Sequence, residues 1–395
     1  MTIAWGTDTE LNDTEFYNRK NDIELLSNIL NSSQYGSTPT ILLTGIRGVG
    51  KTALIKKLKK EFDKDYLVTY IDFGTSYAYQ TGKLTRKSIM ELIYHEIIKS
   101  CKEAGLQTID KKIEKFFKTQ NFKVKEIIDY KGIPLPIPET EQDYSKLANF
   151  VMDLPQKIYE EYHEKIKGVF LFIDEFQLIK ELDEPIDSFL WFFRSKIQSE
   201  KNVAYIISGS MSLKDNLIEE IAGKNGAFGG RLLTVLIEPF TKNTTISYLK
   251  ENAPYLNFTK EGFNQFYTCT QGIPFYINTF AKVLPPDKTL DKEILITEFE
   301  SALDLLAVHF INAWLQLTLQ EQRIIISLID KSRKRIEIAN ELGVTSGSLS
   351  KSLNNLQNKI LIEFSDNKYK INDPILKLWL KKEYKRKGHY PHKIT

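Results

Sequence analysis

Cysteine is scarce in this chain: only Cys101 and Cys269 occur in 395 residues, and neither belongs to a ligand-spaced cluster. That argues against a disulfide framework and a cysteine-based zinc site. Long apolar runs are missing too, since 169–173, 189–193 and 324–328 are far shorter than a membrane span and read as buried core. The opening residues, Met1-Thr2-Ile3-Ala4-Trp5-Gly6, lack the basic region and apolar stretch of a signal peptide, so a reducing cytoplasm is the expected compartment. No internal repeat is visible. Net charge is small as well, +3, but it is unevenly placed. From Lys331 onward there are 15 Lys and Arg against 6 Asp and Glu, or +9, which leaves 39 against 45, or −6, for residues 1–330. The asymmetry points to an anionic partner for the C-terminal part, or to a solvated basic tail.

What is present is a soluble globular composition, 42% apolar and 27% charged, at a length that implies about two or three domains. Residues 45–52 read Gly-Ile-Arg-Gly-Val-Gly-Lys-Thr, directly after the apolar run 39–44 and before a helix expected over 53–62. Strand, glycine loop and helix in this order make a P-loop. The loop amides turn toward phosphates, Lys51 supplies a positive charge, Thr52 offers its hydroxyl to Mg²⁺, and the helix dipole adds to the cradle. Gly45, Arg47, Gly48, Val49, Gly50, Lys51, Thr52 and Ala53 are therefore the candidate phosphate-binding residues.

Further strands are expected at 66–73, 169–173, 203–208 and 232–237, separated by helical segments, which predicts a parallel, doubly wound α/β sheet. The crossover 75–160 is unusually long. It holds expected helices at 88–103 and 144–163, with Pro134-Leu135-Pro136-Ile137-Pro138 read as an extended, semi-rigid loop. After Pro239 the pattern turns helical, with helices expected at 244–252, 260–270, 274–283 and 290–317. Thr318-Leu319-Gln320-Glu321 has the form of a capping box that opens a final unit. The expected division is an α/β domain over 1–240, an all-α lid over 241–317, and a C-terminal unit over 318–395.

The strand Phe170-Leu171-Phe172-Ile173 ends in Asp174 and Glu175. Beside a P-loop, Asp174 is the expected Mg²⁺ carboxylate and Glu175 the group that polarises the attacking water. Ser208 or Ser210, after the fourth strand, could orient that water, and both are equally ordinary turn residues. Arg231, after a glycine turn, is a candidate to stabilise charge on the transferring phosphate, in its own subunit or a neighbour's, with Arg194 as an alternative in trans. Pro274 opens a helix that could approach the nucleotide.

Residues 335–343 and 344–351 have the layout of a helix-turn-helix, with Ile338, Ala339 and Leu342 inside and Gly343 at the turn. Residues 361–364 and 369–371 then read as a β-hairpin, completing a winged helix. Ser346, Ser348, Lys351, Asn354, Asn355 and Lys359 are the candidate DNA-binding residues. A winged helix used only for protein contacts is the alternative.

Taken in order, Phe16-Tyr17-Asn18-Arg19, the P-loop, 172–176, Gly230-Arg231, Gly272-Ile273-Pro274 and Asp373-Pro374 resemble the archaeal-type AAA+ ATPase family, related to the STAND NTPases and origin-recognition initiators. The resemblance spans nearly all of the chain outside 75–160. It implies a P-loop NTPase domain with ATP/ADP and Mg²⁺ as cofactors, a helical lid and a winged helix. It also implies that Tyr17, Asn18 and Arg19 lie near the base and Pro274 near the nucleotide. Some members carry a nuclease-like domain after the winged helix, and none is expected here. The expected activity is slow ATP hydrolysis by a molecular switch whose partner is double-stranded DNA. The rival readings are a nucleotide-dependent scaffold for a protein partner and a DNA-loading or transposition-type ATPase that forms homo-oligomers. No membrane role is expected.

Overall fold

The computed structural model describes residues 16–76, 84–106, 124–130, 133–138, 141–182, 185–209, 221–223, 226–229, 232–359 and 361–391, with positions 11, 80, 82 and 218. In chain order the first part runs α1 (Lys20–Asn31), β1 (Thr40–Thr44), α2 (Lys51–Phe62), β2 (Leu67–Asp72), α3 (Arg86–Glu103), β3 (Val124–Tyr130), β4 (Ile133–Pro138) and α4 (Glu141–Tyr162). Then come β5 (Val169–Asp174), α5 (Ile186–Ile197), β6 (Val203–Ser208) and β7 (Leu233–Leu236). The remainder is α6 (Lys242–Asn252), β8 (Asn257–Phe258), α7 (Lys260–Thr270), α8 (Pro274–Val283), β9 (Thr289–Leu290), α9 (Lys292–Leu306), α10 (Val308–Gln316), α11 (Leu319–Ser327), α12 (Arg335–Leu342), α13 (Ser350–Asn358), β10 (Ile362–Ser365), β11 (Lys368–Ile371) and α14 (Pro374–Lys387).

Strands β1, β5 and β6 are apolar on both faces and buried along their whole length. Such strands suit the middle of a parallel sheet covered by helices on both sides. The five-stranded sheet has the order β2-β5-β6-β1-β7 and is parallel throughout. Apolar residues of α1 and α2 cover one face, where Leu54, Ile55, Leu58 and Phe62 recur at helical spacing. Apolar residues of α3, α4 and α5 cover the other. The doubly wound α/β sheet read from the sequence is therefore the observed one.

Two expectations are corrected. The proline-rich segment 134–138 is not a loop: β4 pairs antiparallel with β3. Pro134, Pro136 and Pro138 alternate with Ile133, Leu135 and Ile137, so the three missing N–H groups share one edge, where no ladder bond is required. The helix expected over 290–317 is also interrupted. Leu290 pairs with Phe258 in a short parallel bridge, the Asp291 side chain caps α9, and Ala307 (φ −91°, ψ 3°) separates α9 from α10. The apolar periodicity continues across Ala307, so nothing in the pattern marks the break.

Residues from Phe240 to Leu380 contribute to one continuous apolar core. Trp314 of α10 meets Trp379 of α14 edge-on at 6.2 Å within it. Thr318 and Glu321 form the capping box, Thr318 N donating to Glu321 Oε2 at 2.8 Å and Glu321 N to Thr318 Oγ1 at 3.3 Å. Beyond it lie α12, α13 and the antiparallel β10–β11 hairpin, at the positions the sequence assigned to the helix-turn-helix and wing.

Candidate nucleotide site

The P-loop leaves β1 between β6 and β7 and turns into α2 through Gly45 (φ 146°), Gly48 (φ 79°) and Gly50 (φ 98°). Two of these positions are closed to any side chain: a Cβ on Gly45 would stand 2.5 Å from the Ile237 carbonyl, and one on Gly48 would stand 2.8 Å from Phe275 Cβ. Gly48 O accepts from Phe275 N at 3.1 Å, so the first turn of α8, opened by Pro274, is pinned to the loop. Lys51 Nζ donates to Gly45 O at 2.7 Å and Ile46 O at 3.1 Å. Burial pushes the Lys51 ammonium down to about 8, while the Asp174 and Glu175 carboxylates pull the other way.

At the end of β5, Asp174 Oδ2 accepts from Thr52 Oγ1 at 2.7 Å and from Tyr70 Oη at 3.1 Å. The sheet order makes this possible: β6 lies between the P-loop strand and β5, and α2 reaches back over it. Asp174 Oδ1 accepts the Glu175 amide at 2.9 Å. Glu175 sits in the left-handed region (φ 54°, ψ 33°), a conformation that costs a glutamate about 1 kcal/mol or more and is common at functional sites. The Gln177 side-chain amide donates to its carboxylate. Burial, then the neighbouring Asp174, raise the Glu175 carboxyl, while Gln177 and Arg47 lower it.

Tyr70, Asp72 and Gln177 were not singled out from the sequence. Asp72 pairs in register with Asp174 across parallel strands, and Tyr70 lies two residues before it. A contact set by strand order leaves no local signal. Gln177, two residues past Glu175, did lie within reach of a local reading.

The segment Tyr17-Asn18-Arg19 lines a cavity of about 580 Å³ beside the loop, together with Phe240 and Thr241. Arg19 Nη2 donates to Val49 O at 3.0 Å and Glu238 O at 2.8 Å, and its guanidinium lies 5.2 Å from the Phe240 ring centre. Tyr17 packs on Tyr248 and Phe240, its hydroxyl donating to Glu251 Oε1 at 2.7 Å, and Asn18 Nδ2 reaches Thr244 Oγ1 at 3.4 Å. These residues bracket the loop and the α6–α8 region. Ser208 ends β6 fully buried, its hydroxyl without a hydrogen-bond partner among the described residues. Ser210 and Arg231 lie outside the described residues. Arg194 donates to the Ala227 carbonyl and stacks on Trp191 at 4.9 Å, contacts inside its own chain.

The DNA candidates are divided by the structure. Ser348, Lys351 and Asn354 are exposed on α13 and the turn before it, and Ser346 is half-buried with its carbonyl accepting from Arg335 Nε at 2.7 Å. Asn355 and Lys359, also exposed, line a second cavity, of about 620 Å³, together with Arg47, Glu175 and Gln177. Ser352 Oγ donates to Gln320 Oε1 at 3.0 Å and Asn355 Nδ2 to Glu321 Oε1 at 2.5 Å, which docks α13 on α11 and aims its C-terminal end at that cavity. Buried Leu349, Leu353 and Leu356 reveal which side of α13 is inward but not where its end points.

A parallel sheet with one strand between the phosphate loop and the acidic strand, and a Thr-carboxylate pair at the loop's end, defines a P-loop NTPase. A family model described as an ATPase domain predominantly from Archaea matches residues 16–280, and the chain belongs to this family. It is 25% identical over 273 residues to an uncharacterized ATP-binding protein of Methanocaldococcus jannaschii, covering 67% of this chain and 68% of that one. In structure it is similar to the Walker-type ATPase PABY2304 of Pyrococcus abyssi, with a TM-score of 0.63 at 19% identity over 94% of this chain and 97% of that one. The Aeropyrum pernix ORC2 protein, solved with ADPNP and ADP, gives 0.51 at 11% identity over 96% of each chain. At these identities the structural likenesses concern the fold. Among the described residues, no helix is long and apolar enough to cross a membrane.

Proposed function

We propose that the chain binds ATP with Mg²⁺, hydrolyses it slowly to ADP, and uses the change of nucleotide to alter the availability of a DNA-binding winged helix formed by α11–α14 and the β10–β11 hairpin. The observation that carries the ATPase reading is the Thr52–Asp174 contact at 2.7 Å with Glu175 beside it. A hydroxyl and a carboxylate converging on one point are hard oxygen donors of the kind Mg²⁺ prefers, so Thr52 and Asp174 would hold it. When bound, the ion supplies charge neutralisation to the phosphates. Lys51 meets the phosphates, Glu175 accepts the proton of the attacking water, and Ser208 is the candidate to orient that water. Arg231 remains the candidate for an added positive charge. Phosphate release by the purified chain, dependent on Mg²⁺, tests the reading, and its complete absence would reject hydrolysis.

The DNA reading rests on exposed Ser348, Lys351 and Asn354 and on the +9 of the C-terminal part. Lys351→Glu is expected to weaken duplex binding and to lower the slope of log affinity against log salt by about one. Lys359→Glu, facing the cavity, leaves the slope unchanged. Equal losses in both variants, measured by fluorescence anisotropy across a salt series, would reject this orientation of α13. A protein-recruitment reading has its own support, since Leu305, Val308, Leu315 and Leu319 are each about half-exposed along α9–α11 (46%, 52%, 53% and 56%).

A further inference from the structure

Arg47, at the tip of the P-loop, is a phosphate-binding candidate whose side chain takes no part in the loop contacts described above. The structure places it, exposed, on the 620 Å³ cavity that Glu175 and Asp373 also line. Among the described residues it makes no direct ion pair. Burial raises the Glu175, Asp373 and Tyr276 pKa values, and the Arg47 charge opposes that rise at all three. Asp373 is the residue where α14 meets α8 within the C-terminal core. Its Oδ1 accepts from Ile375 N at 2.7 Å, capping α14, and its Oδ2 accepts from Tyr276 Oη at 2.7 Å. Tyr276 follows Phe275, whose amide bonds to Gly48 of the loop. A continuous path of hydrogen bonds and one unpaired cation thus runs from the P-loop through the first turn of α8 to the start of α14.

We propose that Arg47 is a positioning residue that exchanges partners: without a γ-phosphate its charge balances Asp373, and with ATP it turns to the γ-phosphate and leaves Asp373 uncompensated. This inference rests on the ATP-binding reading of the P-loop. The half-buried Asp373 carboxylate holds α14 against α8 best while a positive charge faces it. Withdrawing that charge weakens the attachment of α14, and by reciprocity anything that lifts α14 away frees Arg47 for ATP. Charges that interact across a solvated cavity are strongly screened, so the effect on affinity is modest, about threefold to tenfold. ADP, which lacks the γ-phosphate, leaves the pair in place.

The test compares affinities for a non-hydrolysable ATP analogue and for ADP by calorimetry in the full chain. Asp373→Asn keeps an oxygen able to cap α14 and offers an amide N–H to the Tyr276 hydroxyl in place of the lost acceptor, while removing the charge. It is expected to raise the analogue-to-ADP affinity ratio by about threefold or more. Arg47→Gln, an exposed change that spares the fold, lowers the ratio, and in that background Asp373→Asn has no further effect. A wild-type ratio in Asp373→Asn, or an undiminished effect in the absence of Arg47, overturns the exchange while leaving ATP binding intact. If the wild-type chain binds neither nucleotide, the ATP-binding reading itself fails. As an independent readout, amide hydrogen exchange at Ile375 and Leu376 quickens with the analogue but not with ADP in the wild type, and is the same with both in Arg47→Gln. Equal exchange with both ligands in the wild type also overturns the proposal.

Discussion

In the Lys51→Ala variant, ATP binding falls by at least about a hundredfold, the scale set by losing charge-assisted bonds to a triphosphate. The ammonium is 6% exposed and donates to two carbonyls of its own loop, Gly45 O and Ile46 O. It is thus held at the centre of the cradle before any phosphate arrives. Calorimetric titration with ATP measures the loss, and retained wild-type affinity would move the nucleotide away from this loop. The same residue gives binding a pH dependence. Its folded pKa is lowered to about 8 from an ordinary 10.5, so at neutral pH both the folded and unfolded chains carry the proton and folding bears the burial cost in full. Between those two values the unfolded chain holds more protons, and the empty protein gains stability as pH rises. Phosphates restore the charged form. ATP affinity therefore declines as pH is raised through about 8, with proton uptake on binding. Titrations at neutral and alkaline pH in buffers of different ionisation enthalpy detect both effects. An affinity that stays flat, without proton uptake, counts against Lys51 as the phosphate ligand.

Glu175→Gln binds ATP with near wild-type affinity and turns it over about a hundredfold or more slowly, the usual loss when a general base is removed. Geometry favours the separation of the two effects. Thr52, Lys51 and Asp174 hold the phosphate and metal end, whereas Glu175 stands one residue further on, in a left-handed backbone conformation that directs its carboxylate into the 620 Å³ cavity. The substituted amide retains an oxygen that can accept from Gln177, so the local fold is preserved. Single-turnover phosphate release together with an ATP titration separates the two quantities. Wild-type turnover would leave Glu175 a structural residue, with Gln177 as its packing partner.

The sheet was readable because its central strands β1, β5 and β6 are apolar and its phosphate loop is written in consecutive residues. Strand boundaries at 203–208 and helices at 260–270 and 274–283 coincide with the sequence reading, since glycine, proline and capping residues mark their ends. What depends on the packing of distant elements was not readable. Tyr70 and Asp72 reach Asp174 only because β2 and β5 are neighbours in the sheet. Asn355 and Lys359 face the nucleotide end because Glu321 and Gln320 dock α13 on α11, a contact between residues over thirty positions apart. Asp373 was visible as part of a motif, but its link to Tyr276 and Arg47 exists only in the folded chain.

The shared core of residues 240–380 has a mechanical consequence. Bending within it would open close-packed apolar surface, so any movement between it and the sheet would fall at the seam. Ile237 belongs to the core of the α1–α2 face, and Phe240 already belongs to the other body, which leaves Glu238 and Pro239 as the short connection between them. Arg19 clasps that connection through the Glu238 carbonyl. On the switch reading proposed above, a small rotation there would be carried by a stiff lever toward the β10–β11 hairpin.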